Sequence, residues 1–170
     1  MSIVTRSFKL LMTTLLSTTL LLNACGLHLR GKESIPFETI YLHSANPNTP
    51  FVRELRHSLE AKQVKLTDSA EQAELVLDIV SENPDKQVLS LGGDGRVNEF
   101  RLFYRVSLRA YDHQRDWIPA EVIVLRRDYS YDDSIVFAKE AEEALLYQSM
   151  RSDMVQQIIR RLSRAKLQVH

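Results

Sequence analysis

Thiol, imidazole and guanidinium groups are the side chains here whose types and spacing bear on chemistry. Cys25 is the only cysteine in the 170 residues, so no disulfide can form within the chain. The histidines are His28, His43, His57, His113 and His170. No two stand at the spacing with which a helix presents a metal pair, as in His-Glu-x-x-His. No Gly-x-Ser-x-Gly elbow offers a serine nucleophile. The sequence calls for no metal and no cofactor, and a binding or assembly role fits it better than catalysis. The arginines are more informative. Arg101, Arg105 and Arg109 recur every fourth residue within a run of strict alternation. That spacing lays them in a row about 13 Å apart on one face of a strand. The row is either a solvated sheet face, which is the default, or a face for an anionic ligand.

The neighbours of Cys25 decide what its thiol does. Arg6 and Lys9 precede an apolar run over residues 10–22, broken only by threonine and serine. This is a secretory signal peptide. The run is shorter than the ~20 apolar residues of a membrane span, so cleavage is expected. Leu22 stands three residues before the cysteine and Ala24 immediately before it, the spacing of a bacterial lipoprotein signal. There the thiol takes a lipid, cleavage frees the amine, and the amine is acylated in turn. More than one acyl chain gives stable anchoring. Gly26, not aspartate, follows the cysteine, which points to the outer membrane. The expected organisation is a cleaved signal peptide (1–24), a lipidated lead (25–36) and a single domain (37–168). Removing Arg6 and Lys9 with the signal leaves 20 basic against 22 acidic residues, a formal charge of −2. That balance argues against a nucleic-acid binder.

The elements that must position these groups follow from periodicity. Ile40, Tyr41 and Leu42 predict a short buried strand over 38–43. Thr49-Pro50 reads as an N-cap followed by proline at the first helical position. Phe51, Val52, Leu55 and Leu59 then recur at helical spacing to about residue 63. Residues 74–82 alternate as a strand until Pro84, which marks a sheet edge, a bulge or a break. Extended character resumes over 87–91. Gly92-Gly93-Asp94-Gly95 is either a phosphate cradle or a hairpin turn. No Lys-Ser or Lys-Thr follows and a strand comes next, so a turn is favoured, and Asp94-Gly95 predicts type I′. Over 97–111, Phe100, Leu102, Tyr104, Val106, Leu108 and Ala110 alternate with Glu99, Arg101, Phe103, Arg105, Ser107 and Arg109. Residues 120–129 form the return strand, apolar on both faces in the middle, hence expected to be central or covered on both sides. A long helix over 135–165 is expected to carry Ala141, Ala144, Leu145, Tyr147, Val155, Ile158 and Leu162 on one stripe. Gln148 and Arg151 interrupt that stripe, either snorkelling at its edge or meeting a partner. The order is β-α-β-β-β-α, an α+β chain of about four strands.

Several stretches resemble the LptE family of lipopolysaccharide-assembly lipoproteins. They are Cys25-Gly26-Leu27-His28-Leu29-Arg30-Gly31; the turn and strand from Leu91 to Leu102; Arg127-Asp128-Tyr129-Ser130-Tyr131-Asp132; and Ala138-Lys139-Glu140-Ala141-Glu142-Glu143. The last helix is similar too, from Leu146 and Met150 through Asp153, Gln157 and Ile158 to Arg160, Arg161 and Leu162. The resemblance implies two helices packed on one face of a mostly antiparallel sheet and a non-enzymatic protein. It implies a plug in the lumen of the β-barrel LptD at the outer membrane, which supports barrel folding and joins in lipopolysaccharide delivery. It also implies lipopolysaccharide binding through basic residues at the hairpin tip and the start of the last helix. Here the matching residues are Arg96 and Lys139. Arg101 and Arg105 are further candidates, since arginine offers phosphate bidentate hydrogen bonds. Candidate partner contacts are the aromatics Phe103, Trp117 and Tyr131, for each of which a place in the core is the equal alternative. The alternative is a lipoprotein scaffold of another envelope complex that does not bind lipopolysaccharide.

Overall fold

A computed structural model describes residues 34–165. The signal segment, Cys25 and the lead up to residue 33 lie outside the described residues, as do residues 166–170. The elements are β1 (Thr39–Ser44), α1 (Pro50–Ala61), β2 (Lys65–Leu66), β3 (Leu75–Leu91), β4 (Val97–Tyr111), β5 (Asp116–Ser130) and α2 (Val136–Arg164). The strands form one sheet in the order β2-β1-β3-β4-β5.

The α+β class and the two helices on one face are as expected. The sheet itself has five strands and is mixed: β1 runs parallel to both β2 and β3, while β3, β4 and β5 are antiparallel. The missed strand, β2, has two residues, too short to show any alternation. α1 forms where expected. The Thr49 hydroxyl accepts a hydrogen bond from the Val52 amide at 3.2 Å, with Pro50 behind the cap. It ends in a Schellman motif: the Gln63 amide donates to the Glu60 carbonyl and the Val64 amide to the Leu59 carbonyl. Gln63 takes φ +66° there.

β3 does not break at Pro84. It is one strand of 17 residues, with Pro84 opposite Tyr104 and a bulge between Ile79 and Ser81. β1 pairs with β3 only as far as Ile79, so Pro84 lies where β3 has a neighbour on one side. An edge position tolerates the missing N–H. The β3–β4 turn is not type I′, which would need positive φ at Asp94 as well as Gly95. Only Gly95 is positive, at +80°. The Gly95 amide donates to the Gly92 carbonyl and the Gly92 amide to the Arg96 carbonyl, a three-residue loop closing with glycine in the left-handed region. β5 is the last strand in the sheet, not a central one. Ile123 turns inward and is buried, whereas Val122 and Val124 are 57% and 37% exposed on the open face. Their apolar character reflects β-branched preference for a pleated surface rather than burial.

The core lies between the helices and one sheet face. Leu102, Tyr104, Val106, Leu108 and Ala110 of β4 meet Phe51, Val52, Leu55 and Leu59 of α1 and Met150, Met154, Val155, Ile158, Ile159 and Leu162 of α2. The stripe expected over the first half of α2 is displaced: Ala141 and Ala144 are exposed and Leu145 is 66% exposed. Glu143, Tyr147, Met150, Met154 and Ile158 follow the helical period instead. Polar bonds hold its upper half to the sheet. Glu143 accepts from Lys86 Nζ at 2.8 Å and Tyr129 Oη at 2.6 Å, and Tyr147 Oη donates to the Asp85 carbonyl at 2.8 Å.

Candidate functional site

The expected cations fall in two places. Arg96 follows the β3–β4 loop, and its guanidinium donates to Asp133 at 3.0 Å, just before α2. Its side chain remains 67% exposed, with Asp94 at 3.5 Å. Lys139, in the second turn of α2, donates to Glu142 at 2.8 Å and to the Ser130 hydroxyl at 3.3 Å. Its side chain is only 13% exposed, so it is tucked against the end of β5 rather than free in solvent. The hairpin tip, the end of β5 and the start of α2 therefore converge, joined also by the Tyr131 amide donating to the Asn98 carbonyl at 2.8 Å. Asp132 fixes the turn by accepting from the Ser134 hydroxyl and amide, which hold its carboxyl below its ordinary range.

Arg101 and Arg105 lie on the other sheet face, away from the helices, as the alternation of β4 requires. Each is paired with an aspartate of a neighbouring strand. Arg101 meets Asp128 through two bonds of 2.7 and 2.8 Å, and Arg105 meets Asp85 at 3.1 Å. The Arg101 fork pulls the Asp128 carboxyl below its ordinary range and is itself raised in return. Arg105, then Gln87, lower Asp85 in the same way. Such exposed pairs add little stability, but they leave the arginine row close to neutral.

Of the aromatics, Phe103 does lie on this open face, as alternation predicts, yet its ring is 9% exposed. The guanidinium groups of Arg105 and Arg126 cover it, at 4.2 and 5.7 Å from the ring centre. Trp117 is partly buried, edge-on to Phe37 at 5.2 Å, and donates its indole N–H to Asp112 at 2.7 Å. Tyr131 is partly buried against Phe100, edge-on at 5.0 Å.

Two groupings escaped the sequence reading because their members meet only in the fold. Asp78, 9% exposed, accepts from His43 at 2.8 Å and from Arg109 at 3.1 Å on the open face. A cavity of about 550 Å³ lies between the start of β5 and the end of α2, lined by Trp117, Pro119, Glu121, Arg160, Arg161 and Arg164 among others.

Residues 37–162 match the family model LptE, described as lipopolysaccharide-assembly. The chain is 30% identical over 156 residues to an LPS-assembly lipoprotein LptE of Pectobacterium atrosepticum, covering 89% of this chain and 84% of that one. It is 30% identical over 156 residues to the protein of the same name in Yersinia pestis, covering 89% and 75%. Among solved structures it is similar to a lipoprotein B of Nitrosomonas europaea, with TM-score 0.73 and 34% identity over 84% of this chain and 94% of that one. A rare lipoprotein B of Shewanella oneidensis superposes with TM-score 0.69 and 26% identity, covering 76% and 96%. The match extends from β1 into the last turns of α2, and the chain belongs to the LptE family of lipopolysaccharide-assembly lipoproteins.

Proposed function

We propose that this chain is an outer-membrane lipoprotein, anchored through acylated Cys25 and facing the periplasm, that works with the β-barrel LptD to assemble lipopolysaccharide into the outer leaflet. In this reading it sits in the barrel lumen as a plug, supports barrel folding, and binds lipopolysaccharide through Arg96 and Lys139. Family membership over nearly the whole described domain carries the reading. The convergence of Arg96 and Lys139 at one end of the sheet supports the binding part of it. Both already have carboxylate partners, so a phosphate binds there by displacing Asp133 and Glu142. Arg101 and Arg105 contribute only if they exchange Asp128 and Asp85 for a phosphate. Phe103, Trp117 and Tyr131 are proposed barrel contacts, Phe103 through the guanidinium groups that cover it.

The test is detergent extraction of the tagged, lipidated protein from its own membranes. The expected result is LptD at one to one. Recovery of the protein alone and monodisperse overturns the plug role. With the complex in hand, Arg96→Gln together with Lys139→Gln is expected to weaken lipopolysaccharide binding about tenfold, equivalent to about 1.4 kcal/mol. Unchanged binding by the folded double variant removes these two residues from the site.

A further inference from the structure

The cavity at the other end of the sheet carries its own chemistry. Arg160, Arg161 and Arg164 face it from the last turns of α2, and Glu121 is the one acid in its lining. Glu121 is already bonded to Arg161. Arg160 and Arg164 lie one turn apart, and neither meets a carboxylate among the described residues. Arg96, Arg101, Arg105, Arg109, Arg127 and Arg151 each have an acidic partner, and the other arginines without one, Arg53, Arg56, Arg115 and Arg126, do not line the cavity. Like charges one turn apart disfavour a helix unless a counter-charge reaches both. The negative end of the helix dipole favours a cation in the last turn, but it does not require a cavity between several of them. A fourth guanidinium, Arg115, stacks 3.7 Å from the Trp117 ring. Asp112, three residues before it, is occupied by the Gln114 and Arg115 amides and the Trp117 indole, and the adjacent Asp116 does not line the cavity.

We propose that this cavity binds a phosphate group that carries net negative charge, as in the phosphate ester of an anionic phospholipid headgroup and unlike the zwitterionic phosphocholine. Paired guanidinium forks suit phosphate oxygens, and Trp117 with Pro119 offers an apolar wall to the esterified part. The volume falls within the ~300–1,000 Å³ of small-molecule sites. The site is separate from the hairpin tip, because β4 spans roughly 45 Å between the two ends by the rise of a strand. It lies where the chain enters the domain, since Phe37 packs on Trp117. Phe37 follows Cys25 by twelve positions, a separation that no chain spans beyond roughly 40 Å. Placing the cavity at the bilayer surface rests on the acylation of Cys25, whereas binding itself does not, and the test keeps the two apart.

Trp117 is the only tryptophan in the chain, so its fluorescence reports this cavity alone. The full mature protein, in a non-ionic detergent, is titrated with dihexanoyl-phosphatidylglycerol, with dihexanoyl-phosphatidylcholine and with inorganic phosphate. The expected result is a saturable change in emission with phosphatidylglycerol, its midpoint raised at least tenfold by Arg160→Gln together with Arg164→Gln and unmoved by Arg96→Gln. A response to inorganic phosphate that the same double variant abolishes supports the site and assigns the ligand as phosphate itself. A response to phosphatidylglycerol alone supports it and assigns a lipid headgroup. Equal responses to the anionic and the zwitterionic lipid, no response to any probe, or a midpoint unchanged in the double variant each overturn it. Arg164→Gln alone, at an exposed position, is expected to shift the midpoint the same way and replaces the double variant if that one fails to fold. A hairpin tip that binds no lipopolysaccharide leaves this result untouched.

Discussion

Gln63 occupies a position that glycine fills without cost. Its φ of +66° is the only positive value outside glycine among the described residues, and it closes the Schellman motif of α1 with Val64 buried behind it. An L side chain in the left-handed region costs about 1–2 kcal/mol, and glycine gives part of that back in the unfolded state. Gln63→Gly is therefore expected to stabilise the domain by about 0.5–1 kcal/mol, read as a higher urea midpoint with an unchanged slope; a lower midpoint contradicts the account. The same scale governs the proposed lipopolysaccharide contacts. Arg96 is paired with Asp133 and Lys139 with Glu142, and the Arg96 pair is exposed enough to contribute only about 0–1 kcal/mol. Freeing the cations should cost the fold little and help an incoming phosphate. Asp133→Asn and Glu142→Gln are expected to tighten lipopolysaccharide binding up to about fivefold with little change in melting. If both weaken it instead, the carboxylates belong to the binding surface and the competition argument fails.

Along whole elements, what could be read from residue types was what local spacing encodes. The alternation of β4 was legible because fifteen residues repeat one period, and it placed Arg101, Phe103 and Arg105 on the open face correctly. The cap at Thr49-Pro50 was legible for the same reason. β2, the edge position of β5 and the actual stripe of α2 were not, because each is set by which neighbour the fold supplies. The partners of the arginines were equally hidden: Arg101 and Asp128 are apposed only once β4 and β5 are in register. So was the phosphate-ester cavity, whose walls come from residues 117–121 and 157–165. The seam under α2 has a measurable consequence. Burial, with nearby Glu143 and Asp85, pushes the Tyr147 hydroxyl up to about 12. Burial and a hydrogen bond to Glu143 raise Tyr129, and burial with Glu82 raises Tyr104. An unfolded tyrosine titrates near ~10, so above that pH the native state holds more protons than the unfolded one. The stability these hydroxyls contribute is complete below pH ~10 and is lost as pH rises toward their native values. The urea midpoint is expected to fall steadily from pH 9 to 11. Tyr147→Phe should start lower, by about 1 kcal/mol for the lost bond to Asp85, and fall less steeply. Parallel slopes would mean that Tyr147 titrates as it does in the unfolded chain.

The apolar packing of the domain is concentrated at one end of its own sheet. Its largest fully buried side chains (Ile40, Phe51, Leu55, Leu59, Leu75, Leu77, Ile79, Leu102, Leu108, Met150, Met154 and Ile158) surround α1 and the second half of α2. Toward the hairpin tip the packing gives way to ion pairs and hydroxyl bonds, and large apolar groups face outward. Phe137 is 87% exposed, Leu91 60% and Val88 52%. Few buried contacts and solvent-facing hydrogen bonds define a segment that opens below the global unfolding energy. Amides of β4 over 106–110 and of α2 over 150–162 should thus exchange only through global unfolding, while those over 97–101 and 136–146 exchange by local opening with a weaker dependence on denaturant. An end that opens alone is also one that a partner can order. Addition of lipopolysaccharide or assembly with the barrel should slow exchange over 97–101 and 136–146 while leaving the other half unchanged. Uniform protection across both halves would show a domain that opens only as one cooperative unit, and would remove the hairpin end as a separately ordered binding element.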